Sequence, residues 1–206
     1  MFISGVGEDV AEGEVAEYYA GQRAAWGFLP NYAPAFSTRP DVARAWNALN
    51  LAVRGGMDRR RFEIATIAAA RARRSTYCTA AHSAFLRDVC GDEAAMVAIA
   101  EHPDGAGLSE QDRAVYRFAG KVATDASSVE QADVDDLRAA GLTDADVADV
   151  VFAASARLFF TAVLDGLGTR LDEQTARSFE PEVLEAMVVG RPVAEWTASE
   201  GVGGET

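Results

Sequence analysis

Apolar residues recur along this chain at intervals of three and four, a spacing that predicts helices rather than strands. In the segment opened by Pro40 and Asp41, the residues Val42, Ala45, Trp46 and Leu49 fall on one face. Ala114, Val115 and Phe118 do the same behind Ser109 and Asp112, which read as a capping pair. Alanine dominates, β-branched runs are short, and glycine and proline fall between the periodic segments. The pattern predicts helices over 8–25, 40–53, 58–73, 76–89, 92–101, 109–124, 130–139, 144–165 and 181–188. Gly55-Gly56, Gly91 and Gly141 read as helix stops. No stretch keeps a strand's period of two, and no phosphate loop or dinucleotide fingerprint occurs. The expected fold class is all-α.

Two segments depart from the helical pattern. Trp26 to Pro40 holds three prolines and four aromatic residues, and reads as an ordered loop with packed rings. Of the two roles open to it, a strut across the helices and a pocket wall, the strut is the expectation. Residues 198–206 are rich in Gly, Ser and Glu and read as a flexible tail behind a single domain spanning 1–197. A weak internal repeat is visible at a shift of 86 positions, which lays Asp58 on Asp144, Glu63 on Asp149, Ile64 on Val150 and Arg71 on Arg157. Under it Cys78 falls on Leu164 and His82 on Gly168, so only the first copy retains reactive side chains.

Composition narrows the function classes. With 206 residues, 49% of them hydrophobic, the chain is long and apolar enough to bury a core without disulfides or metals. Its net charge is −13, from 19 basic against 32 acidic residues, and Lys121 is the only lysine. That balance argues against nucleic-acid and anionic-membrane partners, which require a basic face. The acidic N-terminus does not look like a signal peptide. The longest apolar stretch, Val147 to Leu164, is interrupted by Asp149 and Arg157. A soluble, cytoplasmic protein with free thiols is expected.

The reactive side chains are few. His102 stands before Pro103 in a polar loop without an evident partner. His82 follows Cys78 by four residues, which places thiol and imidazole on one helix face. With Ser75 as N-cap, Cys78 sits in the first turn, where free N–H groups and the helix dipole favour a thiolate. Glu63 lies among Phe62, Ile64 and Ile67, and an inward carboxylate there needs a partner. One arrangement has Glu63 orienting His82, which acts as base toward Cys78. The plainer alternatives are a buried apolar cysteine, a hydrogen-bonded core histidine, and a Glu63 paired with Arg59 or Arg60 at the surface. A zinc site of Cys78, His82 and Glu63 lacks a second nearby Cys or His, and no metal or cofactor is expected.

Glu63, eleven residues, Ser75, two residues, Cys78, three residues, His82 resembles the alkylhydroperoxidase D-like signature Glu-x11-Cys-x2-Cys-x3-His. That family lies within the carboxymuconolactone decarboxylase superfamily. The wording of YCTAAH, of Trp26 to Tyr32, of Arg39-Pro40, of Leu108-Ser109 and of Leu142 to Leu164 is similar to the branch known as peroxidase-related, over roughly residues 12–172. The resemblance implies an all-α bundle of paired helices that assembles as a homo-oligomer. It also implies Cys78 as the peroxide-attacking thiol, His82 as relay base and Glu63 as its orienter. Ser75, Tyr77 and Phe85 are then the expected substrate-binding neighbours.

The chain departs from that pattern at Ser75, where the family carries the cysteine that closes a disulfide. Within the chain Cys90 is no substitute, because twelve residues of helix separate it from Cys78 by about 18 Å, and a disulfide needs Cα atoms within about 7 Å, so only Cys90 of a neighbouring subunit could serve. The reading is a one-cysteine hydroperoxide-reducing enzyme, acting on a small molecule and discharged by an external thiol. The alternatives are an acid–base enzyme of the decarboxylase type acting on a small carbonyl or lactone, and an inactive scaffold or redox sensor.

Overall fold

The computed structural model describes residues 1–193. The tail expected at 198–206 lies outside them. Among the described residues there are eleven α-helices and no strand. They are α1 (Gly13–Trp26), α2 (Ala33–Phe36), α3 (Pro40–Gly56), α4 (Arg59–Ala72), α5 (Thr76–Asp88) and α6 (Glu93–Glu101). They continue as α7 (Glu110–Asp125), α8 (Gln131–Ala139), α9 (Asp144–Leu167), α10 (Glu173–Ala176) and α11 (Pro181–Met187).

The bundle is built around α4. Every residue from Phe62 to Ala70 is buried, and its alanines let α5, α7 and α9 pack closely. The start of α4 is fixed by charge as well as by packing. Asp58 caps it, accepting a 2.8 Å bond from the Arg61 N–H. Arg60 holds Asp92 at the start of α6 and Asp112 in α7, and Arg61 pairs with Asp146 of α9. Thr143 and Asp146 form a reciprocal capping box under α9. By length and composition α9 is apolar enough to cross a membrane, but its inner face packs on α3, α4 and α7.

Three expectations change. The helix expected over 8–25 begins only at Gly13, after a separate 3-10 turn at Glu8–Val10. Gly55-Gly56 does not stop α3, which runs through both glycines to Met57. The repeated stretches are both helical and pack on each other, yet only the first breaks. Arg74 takes φ 56° there, and the Ser75 N–H closes on the Ala70 carbonyl at 2.9 Å. That turn ends α4 and starts α5, whereas α9 continues unbroken through the matching positions.

Candidate active site

Glu63 enters the site from the second turn of α4. It is fully buried and paired twice: Oε1 accepts from Arg59 Nε at 2.5 Å, and Oε2 lies 2.5 Å from His82 Nδ1. Burial alone raises the Glu63 pKa. The His82 ring and the Arg59 guanidinium outweigh it and hold the carboxyl below its ordinary range. Burial, reinforced by the charge of Arg157, lowers His82 to about 4 against the pull of Glu63. The imidazole is therefore neutral at pH 7, with its proton on Nδ1 donated to Glu63. Its Nε2 is left as the basic nitrogen.

Cys78 stands one turn before His82 on α5 and is buried. The nearest charge is Arg157, whose Nη1 lies 3.9 Å from the sulfur. Burial nonetheless pushes the Cys78 thiol up, and Arg157 and the Ser75 hydroxyl recover only part of that shift. This corrects the expectation of a thiolate preformed at the helix N-terminus. Cys78 does occupy the first turn of α5, but desolvation outweighs the dipole. In the resting site the sulfur is a thiol beside a neutral base.

These groups open onto a cavity of about 550 Å³. Glu63, Tyr77, Cys78, His82 and Phe85 all line it. Ser75 does not. It is fully buried at the N-cap position of α5, its hydroxyl caps nothing there, and it lies beside Cys78 and Asp165. Ser75 therefore sits behind the thiol and does not line the cavity, contrary to the expectation of a substrate-binding residue. The Tyr77 ring faces the cavity, but its hydroxyl is held by the Asp172 carboxylate. His102 is exposed at the end of α6, away from the site.

The segment from Trp26 to Pro40 is a wall of the cavity and not merely a strut. Trp26, Tyr32 and Phe36 all line it. Gly27 turns the chain out of α1 at φ 79°, a conformation that favours glycine. Asp172 then anchors the segment by accepting from the Asn31 N–H at 2.6 Å and from Tyr77. Proline and ring content signals stiffness but not which way the rings face. The anchoring carboxylate lies 141 residues away in sequence.

Arg157 was not recognised as a site residue from sequence, though its signal was visible as the one cation in the long apolar stretch of α9. Its guanidinium carbon lies 5.5 Å from the Trp46 ring centre and 5.3 Å from that of Phe160. These two rings stack on each other at 5.1 Å. Among the described residues no group of three His, Cys, Asp or Glu side chains is placed to hold a metal ion.

Residues 40–121 match the carboxymuconolactone decarboxylase family. The matched segment carries Glu63, Cys78 and His82, while Arg157 lies beyond it. The fold is that of the alkylhydroperoxidase AhpD core. A peroxidase-related protein from Ralstonia eutropha JMP134 superposes with a TM-score of 0.75 at 24% identity, over 84% of this chain and 93% of that one. A second peroxidase-related protein, from Silicibacter sp. TM1040, gives 0.72 at 20% identity, over 84% and 93%. The debrominase Bmp8, as a cysteine-to-alanine variant in complex with 2,3,4-tribromopyrrole, gives 0.72 at 15% identity, over 91% and 97%. No curated protein matches the chain.

Proposed function

We propose that this protein is a thiol-dependent oxidoreductase that reduces a small hydroperoxide at Cys78. The observation that carries this reading is the buried Glu63–His82 pair, one helical turn from a buried thiol on the same cavity. The Nδ1–H bond to Glu63 fixes the imidazole, so that Nε2 is the nitrogen that takes the Cys78 proton. Because burial holds the thiol protonated, removal of that proton accompanies substrate arrival instead of preceding it. The sulfur then attacks the terminal oxygen of the hydroperoxide. A new S–O bond forms, the O–O bond breaks, and the departing alkoxide takes the proton held at His82. Cys78 is left as sulfenic acid.

Cys78 and Cys90 are both free thiols, and Ser75 cannot supply the second sulfur of a disulfide. An external thiol must therefore discharge the sulfenic acid. One equivalent gives a mixed disulfide and water, and a second restores Cys78 and leaves the reductant as its disulfide. Turnover of cumene hydroperoxide with dithiothreitol tests the cycle. Cys78→Ser should abolish it, and His82→Ala should reduce it at least a hundredfold.

The second reading is acid–base catalysis on a small carbonyl or lactone compound. It is favoured by the neutral His82 and by a thiol that is not ionised at rest. In that case Cys78 is part of the wall, and Cys78→Ser leaves turnover of such a substrate intact while His82→Ala removes it.

A further inference from the structure

The cavity has a charge opposite to that of the chain. The protein carries a net −13, yet three guanidinium groups, those of Arg54, Arg59 and Arg157, line the cavity against the single carboxylate of Glu63. Arg59 is spent on that carboxylate. Arg157 is 4% exposed, has no carboxylate partner among the described residues, and leaves its Nε without a hydrogen bond. Arg54 also lacks an acidic partner among them. A buried cation without a counter-charge is costly to maintain in a folded protein, and an anion that fills the gap is bound correspondingly well. The walls beside Arg157 are flat. Trp46 and Phe160 stack nearly parallel, with interplanar angle 19°, and Phe36 lies on Phe160 at 15°.

We propose that the cavity binds a planar aromatic anion, a ring system bearing a carboxylate or phenolate oxygen. Arg157 pairs with that oxygen, and the ring packs beside the Trp46–Phe160 stack. This rests on taking the cavity as the active site, and it adds to the proposed function the class of molecule that carries the reacting bond. An arginine is suited to the task, since its planar group stacks on the rings and still presents a fork of donors to an oxygen acid. A volume of about 550 Å³ accommodates two fused rings with a substituent. In the thiol cycle the same guanidinium serves twice. Its Nη1 faces Cys78, so binding the anion places the ring beside the sulfur.

The test separates binding from chemistry. Full-length Cys78→Ser protein, which cannot be oxidised at that position, is titrated calorimetrically at pH 7.5 with three probes. They are 2-naphthoate, its neutral isostere 2-naphthamide, and the non-planar decahydro-2-naphthoate. The proposal expects 2-naphthoate to bind at least tenfold more tightly than either of the others. Adding Arg157→Gln should erase the preference for acid over amide. Equal affinity for acid and amide, or no measurable binding of 2-naphthoate at millimolar concentration, would overturn it. The comparison of isosteres decides the matter even where Arg157→Gln fails to fold. Binding as expected in a protein whose native Cys78 never oxidises would sink the thiol cycle and leave the anion site standing.

Discussion

Arg157 reaches Cys78 from the middle of α9, its Nη1 3.9 Å from the sulfur, with no carboxylate partner of its own among the described residues. The pairing ties an apolar core helix to the first turn of α5 and gives the buried thiol a nearby cation. It also explains why His82 is a weak base at rest, since Arg157 and burial both act against a second positive charge there.

If Arg157 sets the ionisation of Cys78, then Arg157→Gln should move it. Arg157 draws the thiol pKa down against burial. Its removal should shift the pH of half-maximal Cys78 alkylation upward. The measurement is the pH dependence of iodoacetamide labelling at Cys78, resolved from Cys90 by peptide mass spectrometry. An unchanged profile would mean that the guanidinium and the sulfur do not interact.

Burial of His82 makes stability fall in acid. His82 is lowered in the folded protein to about 4, from an ordinary 6.5. Between those values the unfolded chain binds more protons, so stability is full above about pH 6.5 and is lost as pH falls toward 4. Glu63, also lowered, adds to the loss in the same direction below its ordinary value of 4.5. From pH 7 to pH 5 the His82 contribution is about 2 kcal/mol, which for a chain of this size is roughly 4–8 °C in Tm. Thermal melts of the native protein and of His82→Asn should differ in slope by that amount, with the variant flatter.

Asp172 fastens the aromatic wall. It accepts from Asn31 N–H and Tyr77 Oη in a buried setting, where desolvation raises its own pKa. Asp172→Ala should cost about 1–3 kcal/mol and expose residues 26–36 to limited proteolysis. The affinity of any ring-bearing ligand should fall with it. A wall that stays resistant to protease would show that ring packing alone holds the segment.

Ser75 and Cys78 flank the first turn of α5, within the span a disulfide bridges. Ser75→Cys should therefore lose two hydrogens on peroxide treatment, whereas the native chain should gain one oxygen at Cys78. Intact-mass spectra distinguish the two. An oxidised Ser75→Cys protein without the bridge would place the two side chains differently from the arrangement described.

The helical architecture was legible because the apolar spacing is regular and the caps are conventional: Asp58, Ser109 and Thr143 all cap as their residue types suggest. The four-residue helices α2 and α10 were not, since so short an element carries no period. Within the site, Cys78, His82 and Glu63 were legible through spacing along two adjacent helices. Arg157, Trp46 and Asp172 were not. Their roles come from contacts between α9, α3, the chain after α9 and the first half of the molecule, and no local spacing encodes those. The Glu63 partners illustrate the limit. Sequence offered Arg59 and His82 as competing explanations, and the folded carboxylate uses one oxygen for each.

The most direct test of the account is the first oxidation of Cys78 by cumene hydroperoxide, followed by intact mass with sulfenic-acid trapping. Native, Glu63→Gln and His82→Ala proteins are compared at pH 7.5. The relay predicts rapid addition of one oxygen at Cys78 in the native chain. It predicts slowing of roughly a hundredfold or more in His82→Ala, and slowing in the same direction in Glu63→Gln. Oxidation at the same rate in all three proteins would contradict it, because the thiol would then be reacting without the buried pair that stands beside it.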